Sequence, residues 1–241
     1  MTSSPDRNDG AASRWASDPY PDYAPEVNQS INFSGLDQSF FTRGKADKVI
    51  EKVKSLGLGR PARLLDIGCG PGLIHGFLPP SVCEVSGVDV SPTPLDIARQ
   101  RHPGNDYQLY DGRTLPFADA SFDLAVTVCV VHHVAVAEWV GFLEEALRVL
   151  RPGGALVICE HNPWNPLTRL AVHRCAFDHD AVLLSAPTAR ALLAQAGFAP
   201  PEIEYIFFTP FENAAVRKIE HAIRRLPLGA QYVATARRPV A

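Results

Sequence analysis

Apolar residues along the chain fall into short continuous runs and into helical spacings. The short runs predict strands at 63–67, 84–90, 106–110, 122–128 and 155–160. The run at 122–128 is almost wholly apolar, as expected for a strand covered on both faces. Helical patterns that begin at Ala46, Pro94 and Trp139 lie before or between these strands. Strands that alternate with helices predict an α/β fold, a parallel sheet with helices on both faces.

The last third of the chain continues this pattern less regularly. Helices are predicted at 187–196 and 213–226, and strands at 202–209 and 231–237. Only one helix links the two final strands, so a parallel and an antiparallel last strand both remain open from the pattern alone.

The first 45 residues differ from the rest of the chain. Residues 1–25 are rich in Ser, Asp, Pro and Gly, which predicts a largely flexible tail. Residues 26–45 carry aromatic side chains that favour burial. They predict either a small helical cap on the main domain or a lid over a site. The main domain is expected to span residues 46–241.

Composition and charge narrow the class of protein. The net charge of −3 and the pI near 6.2 argue against a nucleic-acid partner, which a broad basic face would bind. Five cysteines without a CxxC pair predict reduced thiols in a cytoplasmic protein. No apolar run approaches the roughly 20 residues of a membrane span, and no secretory signal pattern begins the sequence. The oligomeric state has no readable signal.

Three alternating glycines follow the first strand: Gly68, Gly70 and Gly72. Such a loop lets a ligand approach the backbone closely. The dinucleotide fingerprint G-x-G-x-x-G would need a glycine where Leu73 stands, and the Gly-Lys-Ser/Thr of a phosphate-binding loop is absent. Neither a pyrophosphate nor a triphosphate is therefore the favoured ligand.

Acidic residues follow the next two strands. Asp89 ends the second strand, about 20 positions past the glycine loop, where a carboxylate can accept both hydroxyls of a ribose. Asp111, followed by Gly112, ends the third strand and can accept a hydrogen bond from the amino group of adenine. These positions predict a ligand that is an adenosine without phosphates.

Residues 46–161 resemble class I S-adenosylmethionine-dependent methyltransferases. The resemblance rests on the stretch Leu64–Gly72, on Asp89, on Asp111-Gly112, on the stretch 115–123 and on the stretch Leu147–Gly154, in the order and spacing of that family. It implies a three-layer Rossmann-like fold with a seven-stranded, mostly parallel sheet whose last strand is antiparallel. It also implies binding of S-adenosyl-L-methionine, with S-adenosyl-L-homocysteine as product, by residues Asp66, Gly68, Cys69, Gly70, Gly72, Asp89, Val90, Asp111, Gly112 and Val128.

Methyl transfer from a sulfonium is an in-line displacement, so the protein needs a base only when the acceptor must lose a proton. His133, beside His132, follows the fourth strand, and His161 follows the fifth. Histidine titrates near physiological pH, so His161 and His133 are the candidate catalytic residues. In the alternative, structural interpretation, one of His132 and His133 packs beside the cofactor and the other donates to backbone.

A long stretch near residues 162–186 separates the fifth strand from the next helix, and inserts here shape the acceptor pocket in the family that the chain resembles. Its His173, Asp178 and His179 do not follow a metal-ligand spacing, so no metal is expected. Arg169 and Arg174 can bind an anionic acceptor or serve as surface charges.

The function expected from these features is methylation of a small-molecule acceptor, most directly an oxygen of a biosynthetic metabolite. Two alternatives stay open. One is a silent subunit that binds S-adenosylmethionine without catalysis. The other is a dinucleotide-dependent oxidoreductase, which the departure at Leu73 disfavours.

Overall fold

In the computed structural model, which describes residues 23–211 and 213–240, seven strands form one sheet. They are β1 (Ala62–Ile67), β2 (Cys83–Asp89), β3 (Asp106–Leu109), β4 (Phe122–Val128), β5 (Leu150–His161), β6 (Glu202–Ile206) and β7 (Gln231–Arg237). The strand order is β3-β2-β1-β4-β5-β7-β6. Strand β7 pairs antiparallel with both β5 and β6, and the remaining pairs are parallel. The predicted Rossmann-like sheet and its antiparallel last strand are confirmed.

The order in which successive strands join the sheet reverses at β1. Strands β2 and β3 are added on one side of β1, whereas β4 and β5 are added on the other side. The helices that connect these two halves leave in opposite directions, which opens a crevice at the carboxyl ends of β1 and β4. The sheet therefore places the ends of five strands around one crevice.

Helices cover both faces of the sheet. Their bounds are α1 (Tyr23–Ile31), α2 (Gln38–Ser55), α3 (Pro92–Arg101), α4 (Trp139–Val149), α5 (Pro166–Arg174), α6 (Ala186–Gln195) and α7 (Ala214–Ile223). Alternation along β5 sends Leu156 and Ile158 into a core with α4 and α6. It sends Ala155 and Val157 into a second core that includes α2. Both faces are dry, which explains the nearly continuous apolar runs of the central strands.

Two element boundaries differ from the sequence prediction. Helix α2 begins at Gln38 rather than Ala46, because the Asp37 side chain caps it by accepting from the backbone N–H of Phe40. The predicted domain boundary at residue 46 therefore falls inside a continuous helix. Strand β5 begins at Leu150 rather than at Ala155. Leu150 pairs with Phe122, and a register shift in the sheet absorbs the residues between.

The C-terminal elements are shorter than predicted. Strand β6 ends at Ile206 rather than at residue 209, because Phe207 adopts a left-handed conformation with φ of 60° that breaks the extended run. Helix α7 ends at Ile223.

Two helices differ from the sequence prediction. Helix α1 begins at Tyr23, within the segment predicted as a tail, and continues into the segment predicted as a helical cap or a lid. Residues 1–22 lie outside the described residues. Helix α5 lies in the predicted insert, where the Asn165 side chain caps it by accepting from two backbone N–H groups. Helices α1 and α5 pack against each other. Within the described part of the chain, every helix is too short or too polar to cross a bilayer.

Candidate active site

The carboxyl ends of the strands open into a cleft of about 980 Å³. One side, the glycine wall, carries Asp66, Gly68–Gly70, Asp89 and Asp111 from the ends of β1, β2 and β3. The opposite side, the histidine wall, carries Cys129, His132, His133, His161 and Asp178 from the ends of β4 and β5 and from the segment after α5. Helices α1, α2 and α5 and the segments 207–210 and 230–231 contribute much of the remaining lining.

The structure brings nearly all predicted cofactor residues to this cleft. Of the ten, nine line it, and so do both predicted catalytic histidines. Gly72 is the exception. It faces away from the cleft, where a Cβ would lie 2.9 Å from Nδ1 of His75. A glycine is needed at position 72 because the loop packs tightly against His75 there, and Gly72 does not line the cleft.

The glycine loop is fastened to the neighbouring strand. The backbone N–H groups of Gly68 and Cys69 both donate to the carbonyl of Val88. Gly68 has φ of 77°, and a Cβ there would lie 2.6 Å from Val130. Only glycine fits this position, because both the backbone conformation and the approach to Val130 exclude a side chain.

Asp89 links the glycine loop to the end of β2. Its Oδ2 accepts from the backbone N–H of Gly70 at 2.8 Å, and its Oδ1 accepts from that of Ser91 at 2.9 Å. Burial raises the pKa of the Asp89 carboxyl despite these hydrogen bonds. Each oxygen keeps a further lone pair that can accept from a ligand hydroxyl.

Asp66 presents a buried oxygen without a partner. Its Oδ2 lies 2.9 Å from Nε2 of His75, whose Nδ1 lies 2.7 Å from the Tyr107 hydroxyl. Asn105 donates to that hydroxyl, so the hydroxyl hydrogen points to Nδ1 and the Nε2–H donates to Asp66. Among the residues that the structure describes, Oδ1 of Asp66 has no hydrogen-bond partner. A buried carboxylate oxygen on a cleft wall fits an ammonium group, which would satisfy it.

Asp111 closes the glycine wall at its exposed end. Its Oδ1 accepts from the backbone N–H groups of Arg113 and Thr114, at 2.8 and 2.7 Å. These two hydrogen bonds lower the pKa of the Asp111 carboxyl. Its position is therefore fixed by the turn that follows β3.

The histidine wall centres on a buried pair. Nδ1 of His132 lies 2.5 Å from Oε2 of Glu160, and both side chains are fully buried. Oε1 of Glu160 accepts from the backbone N–H groups of Val130 and Val131. His132 thus bonds a carboxylate through Nδ1.

The two adjacent histidines have opposite protonation tendencies. Burial disfavours the charged form of His132, but Glu160 and Asp178 outweigh it and hold the pKa of His132 well above its usual value. Burial, together with charged His132, lowers the pKa of His133 to about 4. Burial would raise the pKa of Asp178, but the surrounding histidines lower it to about 2. At neutral pH His132 is therefore an imidazolium and His133 a neutral imidazole, and Asp178 and Glu160 are carboxylates.

Cys129, which belongs to the histidine wall, and its neighbour Lys45 were not predicted as site residues. Sγ of Cys129 lies 3.3 Å from Nζ of Lys45, and φ at Cys129 is 58°. Burial would raise the pKa of this thiol, but Lys45 and His161 outweigh burial and lower it to about 7. Nδ1 of His161 lies 3.4 Å from Nε2 of Gln231. No spacing in the sequence relates Lys45 to Cys129, because they meet only through the fold.

Comparison with known proteins agrees with this geometry. A family profile described as "Methyltransferase domain" matches residues 65–158. A demethylmenaquinone methyltransferase from Tropheryma whipplei is 39% identical over 110 residues, which cover 44% of this chain and 45% of that protein. The chain thus spans less than half the length of that relative.

Two further likenesses cover more of the molecule. An uncharacterized methyltransferase from Synechocystis sp. is 31% identical over 150 residues, covering 61% of this chain and 71% of that protein. A SAM-dependent methyltransferase from Archaeoglobus fulgidus shares the fold with a TM-score of 0.65 at 18% identity, covering 90% of this chain and all of that chain (100%). The chain belongs to the class I S-adenosylmethionine-dependent methyltransferases.

Proposed function

We propose that the protein transfers a methyl group from S-adenosylmethionine to an oxygen of a small-molecule acceptor. The observation that carries the proposal is the arrangement of the two walls. Acidic side chains at the ends of β1, β2 and β3 share one side of a cleft, and titratable side chains after β4 and β5 share the other. One side suits an adenosine-containing sulfonium, and the other suits a group that must lose a proton.

The glycine wall matches the parts of S-adenosylmethionine. Oδ1 of Asp66 is the unpartnered oxygen available to the ammonium group of the methionine moiety. We propose that Asp89 accepts from the ribose hydroxyls and that Asp111 accepts from the adenine amino group. Gly68–Gly70 leave room for the ligand to approach the backbone.

The chemical step that we propose is a single displacement. S-adenosylmethionine supplies a methyl group on a positively charged sulfur. The acceptor hydroxyl gives its proton to an imidazole, and its oxygen forms a bond to the methyl carbon. The carbon–sulfur bond breaks, and its electron pair stays on sulfur. His161 and His133 are the candidates for the proton acceptor, since both line the cleft.

The N-terminal segment and the insert are proposed to choose the acceptor. They meet above the cleft, where the guanidinium of Arg174 lies 5.5 Å from the ring centre of Phe33. Their contribution to the lining is mainly apolar: Val27, Ile31, Phe33, Leu167, Val172 and Phe177. We infer an acceptor with an apolar body that carries the reacting oxygen.

The five free thiols support the proposal of a cytoplasmic protein.

Calorimetric titration with S-adenosylhomocysteine tests the donor site. We expect micromolar or tighter binding by the parent and a loss of at least about 150-fold in Asp89→Ala, because the two proposed hydrogen bonds from ribose hydroxyls to a charged acceptor contribute about 1.5–3 kcal/mol each. Asp96→Ala, an exposed aspartate on α3, is the matched control and should bind like the parent. Absence of binding by the parent would refute the proposal. A screen with labelled methyl donor then separates an enzyme from a silent binding subunit.

A further inference from the structure

The histidine wall holds three side chains that converge as metal ligands do. His132, His133 and Asp178 each offer one ligand atom, and these three atoms lie within 4.8 Å of one another. Oδ1 of Asp178 is 3.5 Å from Nε2 of each histidine. Two ligands that share a first-row metal ion, each about 2.1 Å from it, lie about 3.0–3.5 Å apart. The spacing to Asp178 already matches that geometry.

Two further observations favour a metal ion over a plain polar cluster. Nε2 of His132 is buried, and among the described residues it makes no hydrogen bond of good geometry, although Oδ1 of Asp178 lies 3.5 Å away. Its other nitrogen, Nδ1, bonds Glu160, whose second oxygen is fixed by two backbone N–H groups. A metal-bound histidine usually donates its second ring N–H to a carboxylate in this way, which orients the ring and strengthens it as a ligand. The ring of His132 is therefore already fixed for coordination.

Charge around the cluster also favours a cation. Asp178 and Glu160 both face the imidazole pair, whereas the ammonium of Lys45 lies against Cys129. The imidazole ring of His161 stands 5.2 Å from that of His132. A divalent ion that takes the place of the proton on Nε2 of His132 would balance the charges of the two carboxylates.

We propose that His132, His133 and Asp178 bind a divalent first-row transition metal ion in the cleft. Two histidines and one carboxylate on one side of an ion leave its other positions open. All three residues line the cleft, so the open positions face the acceptor space. The sequence predicted no metal because its ligand candidates there were His173, Asp178 and His179, of which only Asp178 belongs to the cluster.

The site also narrows the acceptor, a step that rests on the proposed function. A metal with two adjacent open positions binds molecules that offer two neighbouring oxygens, such as a hydroxy acid or an enol beside a carbonyl. Coordination lowers the pKa of a bound hydroxyl and fixes its oxygen for attack. In this arrangement His133 is a ligand, and His161 remains to take the proton.

Metal binding by the full chain, stripped with a chelator, tests the inference. The probes are Zn²⁺ and Mn²⁺ by calorimetry, and Co²⁺ by its absorption spectrum. We expect one ion per chain, with affinity reduced at least about 100-fold in His133→Gln and Asp178→Asn. His173→Gln is the matched control, because that histidine is exposed in the same insert. It should bind like the parent.

Binding of S-adenosylhomocysteine, measured on the same samples, separates the possible failures. Variants that retain this ligand but lose the metal support the site and rule out misfolding. A parent that binds S-adenosylhomocysteine but no stoichiometric metal overturns the metal site and leaves the proposed function standing. Equal loss of metal in His173→Gln would also overturn it. If the variants do not fold, the parent's Co²⁺ spectrum decides, because a protein site with nitrogen ligands and surface adsorption differ in their absorption.

Discussion

The two walls of the cleft hold their polar side chains by different means. On the glycine wall, Asp89 and Asp111 are fixed mainly by backbone N–H groups two or three residues away, and Asp89 also by Gly70. On the histidine wall, the partners are side chains from distant parts of the chain. Lys45 meets Cys129 across 84 positions, and His132 meets Glu160 across 28.

This difference has consequences for stability and for chemistry. A side chain held by local backbone can be replaced with mainly local loss, because the turn has other hydrogen bonds. A buried network of charged side chains fails as a unit, since each removal leaves another group unpaired in a dry environment. Conservative changes at Asp89 and Asp111 are therefore expected to be tolerated, and changes in the network of the histidine wall are expected not to be.

The largest effect is expected from Glu160→Ala. The change leaves a buried imidazolium and two backbone N–H groups without their acceptor, so unfolding free energy should fall by about 3–5 kcal/mol. Urea denaturation followed by circular dichroism measures it. Glu144→Ala, an exposed glutamate on α4, should change stability by less than about 0.5 kcal/mol. A loss in Glu160→Ala as small as in this control would contradict the network interpretation.

Gly68→Ala should break the glycine wall through its backbone. The left-handed conformation and the 2.6 Å approach to Val130 should together cost about 2–4 kcal/mol. Thermal unfolding and affinity for S-adenosylhomocysteine should both fall. Gly104→Ala is the control, because Gly104 is exposed and a Cβ there meets nothing within 4 Å. Similar behaviour of the two variants would show that the loop relaxes to accept a side chain.

The pH dependence of Cys129 alkylation tests how the charged side chains of the histidine wall affect one another. With a pKa of about 7, its thiolate forms as pH rises through 7, so the rate of alkylation by iodoacetamide should have its midpoint there. Burial raises the pKa of the other four thiols, so Cys129 should react first.

Replacing Lys45 tests whether its ammonium group causes the low midpoint of Cys129 alkylation. Lys45→Met should move the midpoint toward the roughly 8.5 of an ordinary thiol. Lys54→Met, an exposed lysine on the same helix, should leave it in place. Mass spectrometry identifies the alkylated residue. A parent midpoint near 9 would show that Lys45 does not stabilise the thiolate.

The smallest effect is expected from Asp111→Asn. Asparagine keeps an oxygen that can accept from the N–H groups of Arg113 and Thr114, so the turn should survive. The variant loses only the charge beside an exposed part of the site. Affinity for S-adenosylhomocysteine should fall by about two- to fivefold, measured by calorimetry. A loss as large as that of Asp89→Ala would place Asp111 among the principal donor contacts.

The strand pattern and the glycine wall could be predicted from sequence because their signals are local. Strand β4 and strand β7 have the bounds that their apolar runs predicted. Helix α5 was missed because its cap, Asn165, lies between Pro163 and Pro166, and prolines this close together favour a turn or loop over a helix. The start of β5 was missed because its pairing with β4 passes through a bulge that sequence pattern does not encode.

By itself, the sequence determined the alternation of strands and helices, the glycine loop and the acidic residues at successive strand ends. Each of these depends on periodicity or on spacing over a few residues. Only the tertiary structure decided which side chains meet across the cleft: Lys45 with Cys129, and Asp178 with the two histidines. Those contacts join residues that no periodicity relates, since the sheet order and the path of the insert bring them together.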